Sequence, residues 1–139
     1  MAKDNKVFCY DFVTYLKDSN AYGTNYFARY FEWQGVCREA FVFSCVAEDF
    51  LAPVGMWITK TAHNEFIKET KPFSQIRCKL TVKDLKKASL YLLFEFCDQK
   101  DESIIYSKGY QKILFVDHEK KIRRIPEIAF QRIKQYEPE

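Results

Sequence analysis

The sequence predicts an α+β fold in which an antiparallel sheet wraps around one long central helix. Three observations predict it. Only residues 25–46 carry a long helical periodicity, one strand-like segment precedes them, and four follow. A chain of 139 residues, 47% hydrophobic and 17% aromatic with four glycines and four prolines, suits one compact domain spanning 1–139. That composition excludes disordered and fibrous classes.

The elements follow in order. KVFCYDFVTYL (6–16) is rich in aromatic and β-branched residues and reads as a strand. KDSNAYGT (17–24) is a loop, with Gly23 permitting a backbone conformation that other residues resist. NYFARYFEWQGVCREAFVFSCV (25–46) is the helix, broken by LAPVG (51–55). Strands are expected over 56–68, 74–83, 88–98 and 103–117, with the polar run DQKDES (98–103) as a hairpin turn. IPEIAFQRIKQY (125–136), with Pro126 near its start, closes the chain as a short helix.

At about 100° per residue, Tyr26, Phe27, Tyr30, Phe31, Trp33, Cys37, Ala40, Phe41 and Cys45 share one broad arc of the long helix. Arg29, Glu32 and Glu39 fall outside it, in reach of solvated i,i+3 contacts. Gln34 and Arg38 project from within the apolar arc. An arginine there is costly unless it is paired or reaches a polar cavity. Arg38 is therefore either a buried ion pair or subunit contact, or a cation held for an anionic or carbonyl-bearing ligand. Gln34 is expected to support Arg38 or a backbone group.

The remaining chemistry is sparse. Five cysteines (Cys9, Cys37, Cys45, Cys78, Cys97) without a C-x-x-C pair suggest buried thiols, neither a zinc site nor a disulfide framework. No metal or cofactor is implied. His63 sits in a strand and reads as structural. The set Phe41, Phe43, Phe66, Phe73, Tyr91, Phe94 and Phe96 reads mostly as core, with room for a few to line a channel. A net charge of +3 does not argue for nucleic acid. The basic runs KDLKK (83–87) and KKIRR (120–124) read as solvated turns or as contacts to an anionic partner. No run approaches the ~20 apolar residues of a membrane helix, and the polar start MAKDNKVFCYDF lacks a signal core, so a cytoplasmic location is expected.

DSNAYGTNYFARYFEWQGVCREAF (18–41) resembles the hotdog-fold thioesterases of the 4-hydroxybenzoyl-CoA type: Asp18, Asn20, Gly23, Tyr26 and Tyr30 fall into that family's frame. NEFIKETKPFSQIRCKLTV and KKIRRIPEIAF match later parts of it. Ordinary members carry an aspartate where this chain has Asn20. The asparagine, together with WQGVCRE (33–39), is similar to the thioesterases of enediyne polyketide synthesis, which release a β-keto polyene from an acyl carrier protein.

The resemblance implies dimers sharing a continuous sheet, commonly paired into tetramers, with sites between subunits. It implies Phe27 as the oxyanion donor through its backbone amide, Asn20 as a hydrogen-bonding group that cannot take a proton, and Arg38 on an acyl oxygen. Tyr30, Tyr26, Gly23 and Thr59 complete the expected site. Asp18 and Glu39 are candidate proton acceptors, or a loop cap and a solvated charge. Arg38 lies about 18 Å along the helix from residue 26 at ~1.5 Å per residue, so a second subunit or a folded-back loop must join it to Asn20. The implied activity is hydrolysis of a β-keto polyene carrier-protein thioester, with possible decarboxylation to a methyl ketone. Hydrolysis of an acyl- or aroyl-CoA, or acyl binding without turnover, are the alternatives.

Overall fold

The computed structural model describes residues 6–47 and 54–138. Within them lie β1 (Phe8–Val13), α1 (Arg29–Phe41), β2 (Met56–Phe66), β3 (Gln75–Lys83), β4 (Ser89–Asp98), β5 (Ile105–Val116) and α2 (Glu127–Lys134). The five strands form one antiparallel sheet in the order β1-β3-β4-β5-β2, so β1 and β2 are its edges.

Alternation along the strands decides which face meets the helix. β3 buries Ile76, Cys78, Leu80 and Val82, and β4 buries Leu90, Leu92, Phe94 and Phe96. Against this face α1 sets Tyr30, Trp33, Cys37 and Phe41. Ring contacts tie the layers: Phe12 to Trp33 at 5.2 Å, Phe8 to Phe41 at 5.6 Å, Tyr30 to Phe96 at 6.2 Å. Truncating one such buried aromatic to alanine costs roughly 3–5 kcal/mol, so this face holds the fold.

The boundaries are narrower than the sequence suggests. β1 ends at Val13 and not at residue 16, because Thr14 turns away: its amide donates to the Ser74 carbonyl and its hydroxyl to the Lys71 carbonyl. Leu16–Asp18 then form one 3₁₀ turn, held by the Asp18 carboxylate accepting the Tyr15 amide at 2.9 Å. The helix starts at Arg29 and not at residue 25. Asn25 is bridged to Ser19 and donates its amide to the Thr70 carbonyl, which keeps it extended. After Phe41 the chain continues as a wider π turn over Val42–Ala47. Residues 51–53 of the expected break lie outside the described residues.

Two expectations about apolar residues are corrected. Tyr26 and Phe27 are 43% and 56% exposed, since the helix has not yet begun where they stand. Of the aromatic set, Phe41, Phe94 and Phe96 are core, but Phe43, Phe66 and Phe73 are exposed and Tyr91 lies on the other face of the sheet. His63 is also on that outer face, its ring stacked on Tyr110 at 5.0 Å. Cys37, Cys78 and Cys97 are buried free thiols, whereas Cys9 is exposed.

Candidate active site

A cavity of about 400 Å³ opens where the 17–24 loop meets the start of α1, lined by Asn20, Thr24, Asn25, Phe27, Tyr30 and the 66–69 segment after β2. Its walls are stiff for reasons visible in the hydrogen bonding. Asn20 accepts the Tyr22 amide at 2.8 Å and the Thr24 amide at 3.3 Å through Oδ1, closing an Asx-type turn. Its Nδ2 donates to the Thr24 hydroxyl at 3.1 Å. The loop's own backbone closes between the Asn20 amide and the Thr24 carbonyl, and Gly23 takes φ +81°, the left-handed conformation that only glycine adopts freely. Asn20 is thus a loop-former whose amide nitrogen keeps one hydrogen to give. It can donate to a carbonyl or a water; it cannot accept a proton.

Phe27 stands two residues before α1, next to its N-cap Ala28, and its amide N–H has no hydrogen-bond acceptor among the described residues. An amide at a helix start is an open donor favoured by the helix dipole. Its ring lies edge-on to Phe66 at 6.4 Å, which joins the loop–helix junction to the end of β2. Tyr30 is 3% exposed and shares a 2.8 Å hydrogen bond with the Thr70 hydroxyl, which also accepts from Asn25 Nδ2 at 2.9 Å. Burial pushes the Tyr30 phenol above its ordinary pKa, offset in part by the bond to Thr70. At neutral pH it is a donor and a wall, not a base.

Arg38 and Thr59 belong to a second cluster at the other end of β2. Arg38 Nη1 donates to the Thr59 hydroxyl at 2.6 Å and to Gln111 Oε1 at 3.0 Å. Gln111 Nε2 donates in turn to Gln34 Oε1 at 3.3 Å, and Gln34 Nε2 to the His63 carbonyl at 3.0 Å and Asn64 Oδ1 at 3.2 Å. Gln34 is fully buried, so this chain of amides is what allows a polar residue on the apolar arc. It supports Arg38 through Gln111, not directly. Gly109 makes room for it: a methyl there would collide with Gln34, the His63 carbonyl and Asn64.

Arg38 has no carboxylate partner within salt-bridge distance among the described residues; the buried ion pair expected as one reading is absent. Its Nε and Nη2 hydrogens have no acceptor there either. Burial lowers its pKa, with Glu39 acting the other way, but a guanidinium stays charged at neutral pH. The result is a cation held at one nitrogen by neutral oxygens, its planar fork otherwise open.

Within one chain the two clusters do not meet. Thr59 and Phe66 are seven residues apart on β2, about 23 Å at roughly 3.3 Å per residue. Asn20, Phe27 and Tyr30 line the cavity; Gly23 and Tyr26 shape the loop and flank it without lining it; Arg38 and Thr59 stand apart. Asp18 is a loop cap, 2% exposed, held by Lys17 at 3.0 Å and Arg29 at 4.0 Å. Glu39 is exposed. Sequence reading missed Gln111, whose alternation along β5 could have marked a polar residue on the buried face, and Glu69 and Thr70, for which no local pattern exists.

A family model for the thioesterase-like superfamily matches residues 15–133. No curated protein matches the chain. Among solved structures, a dynemicin thioesterase studied for polyene binding superposes with TM-score 0.85 at 20% identity, over 95% of this chain and 98% of that one. A 1,4-dihydroxy-2-naphthoyl-CoA thioesterase from Synechocystis gives 0.82 at 14% identity, over 93% and 96%. A Staphylococcus aureus protein in complex with CoA gives 0.89 at 14% identity, over 100% and 90%. At these identities the structures establish the hotdog fold, and the family match establishes membership: the chain belongs to the thioesterase-like superfamily.

Proposed function

We propose that the protein is a thioester hydrolase that releases a β-keto polyene chain from an acyl carrier protein, with Asn20, the Phe27 amide and Arg38 as its catalytic groups. The observation that carries this reading is the loop–helix junction, where a backbone N–H with no acceptor among the described residues and an asparagine donor line one cavity. A thioester carbonyl placed there receives two hydrogen bonds as its oxygen turns negative. Tyr30 and Phe66 give that cavity an aromatic wall suited to a flat conjugated chain. The fold-level likeness to a dynemicin thioesterase agrees with this, as does the pairing of Asn20 with Arg38 in the sequence.

The reading requires two copies. β2 is an edge strand of 11 residues, paired only with β5, so its outer backbone groups are open to pairing. Antiparallel pairing of two such edges about an axis near Ala62 and His63 places Thr59 of one copy opposite Phe66 of the other. Arg38 of a second copy then reaches the Asn20 cavity. A dimer of dimers is the further assembly we expect from the family.

An anionic carrier fits the basic runs. The two runs lie side by side: the amide of Ile125, just after KKIRR, donates to the Lys87 carbonyl at 2.8 Å, and Phe115, which accepts the Arg123 amide at 3.0 Å, donates to the Ala88 carbonyl at 2.8 Å. Together 83–87 and 117–127 carry seven basic against four acidic residues, on one exposed surface near the start of β2. Hydrolysis of an acyl- or aroyl-CoA is the second reading, favoured by the likeness to a 1,4-dihydroxy-2-naphthoyl-CoA thioesterase and to a protein in complex with CoA. The test is release, followed by mass spectrometry, of one β-ketoacyl polyene and one saturated chain, each loaded on carrier protein and on CoA. Faster release of the polyene from carrier protein supports the proposal; preference for CoA supports the second reading. No release from any of the four substrates leaves an acyl-binding protein.

A further inference from the structure

Asn20 leaves the proposed reaction without a proton acceptor, and Tyr30 is a buried phenol unsuited to the task. The cavity contains one carboxylate. Glu69 lines it beside Lys68, facing the same space as Asn20, Phe27 and Tyr30. It is exposed, and its carboxylate has neither a hydrogen bond nor an ion pair among the described residues, in contrast to Asp18.

An exposed glutamate on a loose loop would carry no argument. This one is fixed on both sides. Before it, the amides of Ile67 and Lys68 both donate to the Tyr106 carbonyl, at 2.9 and 3.0 Å. After it, Thr70 is 2% exposed and clamped three ways: its hydroxyl meets Tyr30 Oη at 2.8 Å and Asn25 Nδ2 at 2.9 Å, and its carbonyl accepts the Asn25 amide at 2.8 Å. The clamp ties residue 70 to the residues that position the cavity, Asn25 of the loop and Tyr30 of the helix. The backbone of residue 69 is therefore held relative to the oxyanion donors, and the side chain alone is free to reach a water.

Resting on the thioesterase reading above, we propose that Glu69 is the general base of the reaction, supplying from the segment after β2 the carboxylate that position 20 lacks. The Glu69 carboxylate takes one proton from a water in the cavity as the water oxygen bonds to the thioester carbon. The carbonyl π pair moves onto oxygen, where the Phe27 amide and Asn20 Nδ2 hold it. As that pair returns, the C–S bond breaks, and the leaving thiolate takes the proton back from Glu69. The products are the free acid and the thiol, and Glu69 ends as a carboxylate. The Tyr30–Thr70 bond is then a positioning contact for the base as well as part of the wall.

The experiment compares wild type, Glu69→Gln and Glu69→Ala on the best-released thioester of the four above. Glu69→Gln keeps the size and hydrogen-bonding capacity of the side chain, so folding and KM should be preserved while kcat falls about 100-fold. The acidic limb of the wild-type kcat–pH profile should disappear in that variant, and added formate should restore part of the kcat of Glu69→Ala. Wild-type kcat in Glu69→Gln, or an unchanged acidic limb, would falsify the base assignment while leaving the thioesterase reading intact. Absence of release by the wild type itself overturns both. A loss confined to KM makes Glu69 a binding residue and also overturns the assignment.

Discussion

The two ends of β2 solve opposite problems with the same kinds of residue. At the Phe66 end, backbone and amide donors surround an open cavity, and the polar side chains are engaged in holding a loop: Asn20 on Tyr22 and Thr24, Asn25 on Thr70. At the Thr59 end there is a full positive charge that no carboxylate pairs among the described residues; uncharged oxygens of Thr59 and Gln111 hold Arg38, and Gln34 holds Gln111. The first end provides geometry and the second provides charge. A neutral holder orients a cation without cancelling its field, whereas a buried carboxylate would satisfy it and leave less for a ligand.

The largest expected effect separates those roles. Arg38→Ala should lower kcat/KM about 100-fold or more, yet change unfolding free energy by only about 1 kcal/mol, because no buried countercharge is orphaned. A stability loss of about 3–5 kcal/mol with proportionate inactivation would instead make Arg38 a structural cation. Chemical denaturation alongside the release assay reads both.

Asn20→Ala should act at the geometric end, lowering kcat about tenfold to 100-fold and stability by about 1 kcal/mol, since it removes one oxyanion donor and the turn that holds it. Loss of stability without loss of kcat would leave Asn20 as a loop residue only.

A matched pair sharpens the charge argument. Thr59→Asp keeps a hydrogen-bonding oxygen near Arg38 but compensates its charge; Thr59→Val removes the bond and keeps the charge. If the open cation matters, Thr59→Asp loses about tenfold in kcat/KM and Thr59→Val about threefold. If Thr59 only packs, the order reverses. Light scattering on both variants checks that the β2 edge still assembles as in the wild type.

Gly109→Ala should cost about 1–3 kcal/mol by crowding Gln34, the His63 carbonyl and Asn64, and disturb the Arg38 end alone. The smallest effect belongs to Phe27→Leu: with the donor in the backbone, kcat should change less than about threefold. A larger loss would move the role from the Phe27 amide to its ring.

Much of this was legible in the chain. The period-2 patterns of β3, β4 and β5 and the apolar arc of α1 fix which faces are buried, because burial of alternating or helically spaced side chains is a local geometric property. Gln34 and Arg38 stood out as polar residues on that arc for the same reason. Element ends were less legible. Nothing local tells that Asn25 will bridge Ser19 and bond Thr70 in place of starting a helix, or that Thr14 will leave the sheet for Ser74 and Lys71.

The class of fold, the core and the presence of an unusual cation and amide thus follow from residue spacing along single elements. Which groups share a site follows instead from how the elements pack. Arg38 meets Thr59 and Gln111 across separations of 21 and 73 residues, Thr70 meets Tyr30 across 40, and Lys87 at the end of KDLKK is bonded to Ile125, the residue after KKIRR. Such contacts are set by sheet register and by how the helix lies on the sheet, cooperative properties of the whole core that no short stretch of chain encodes.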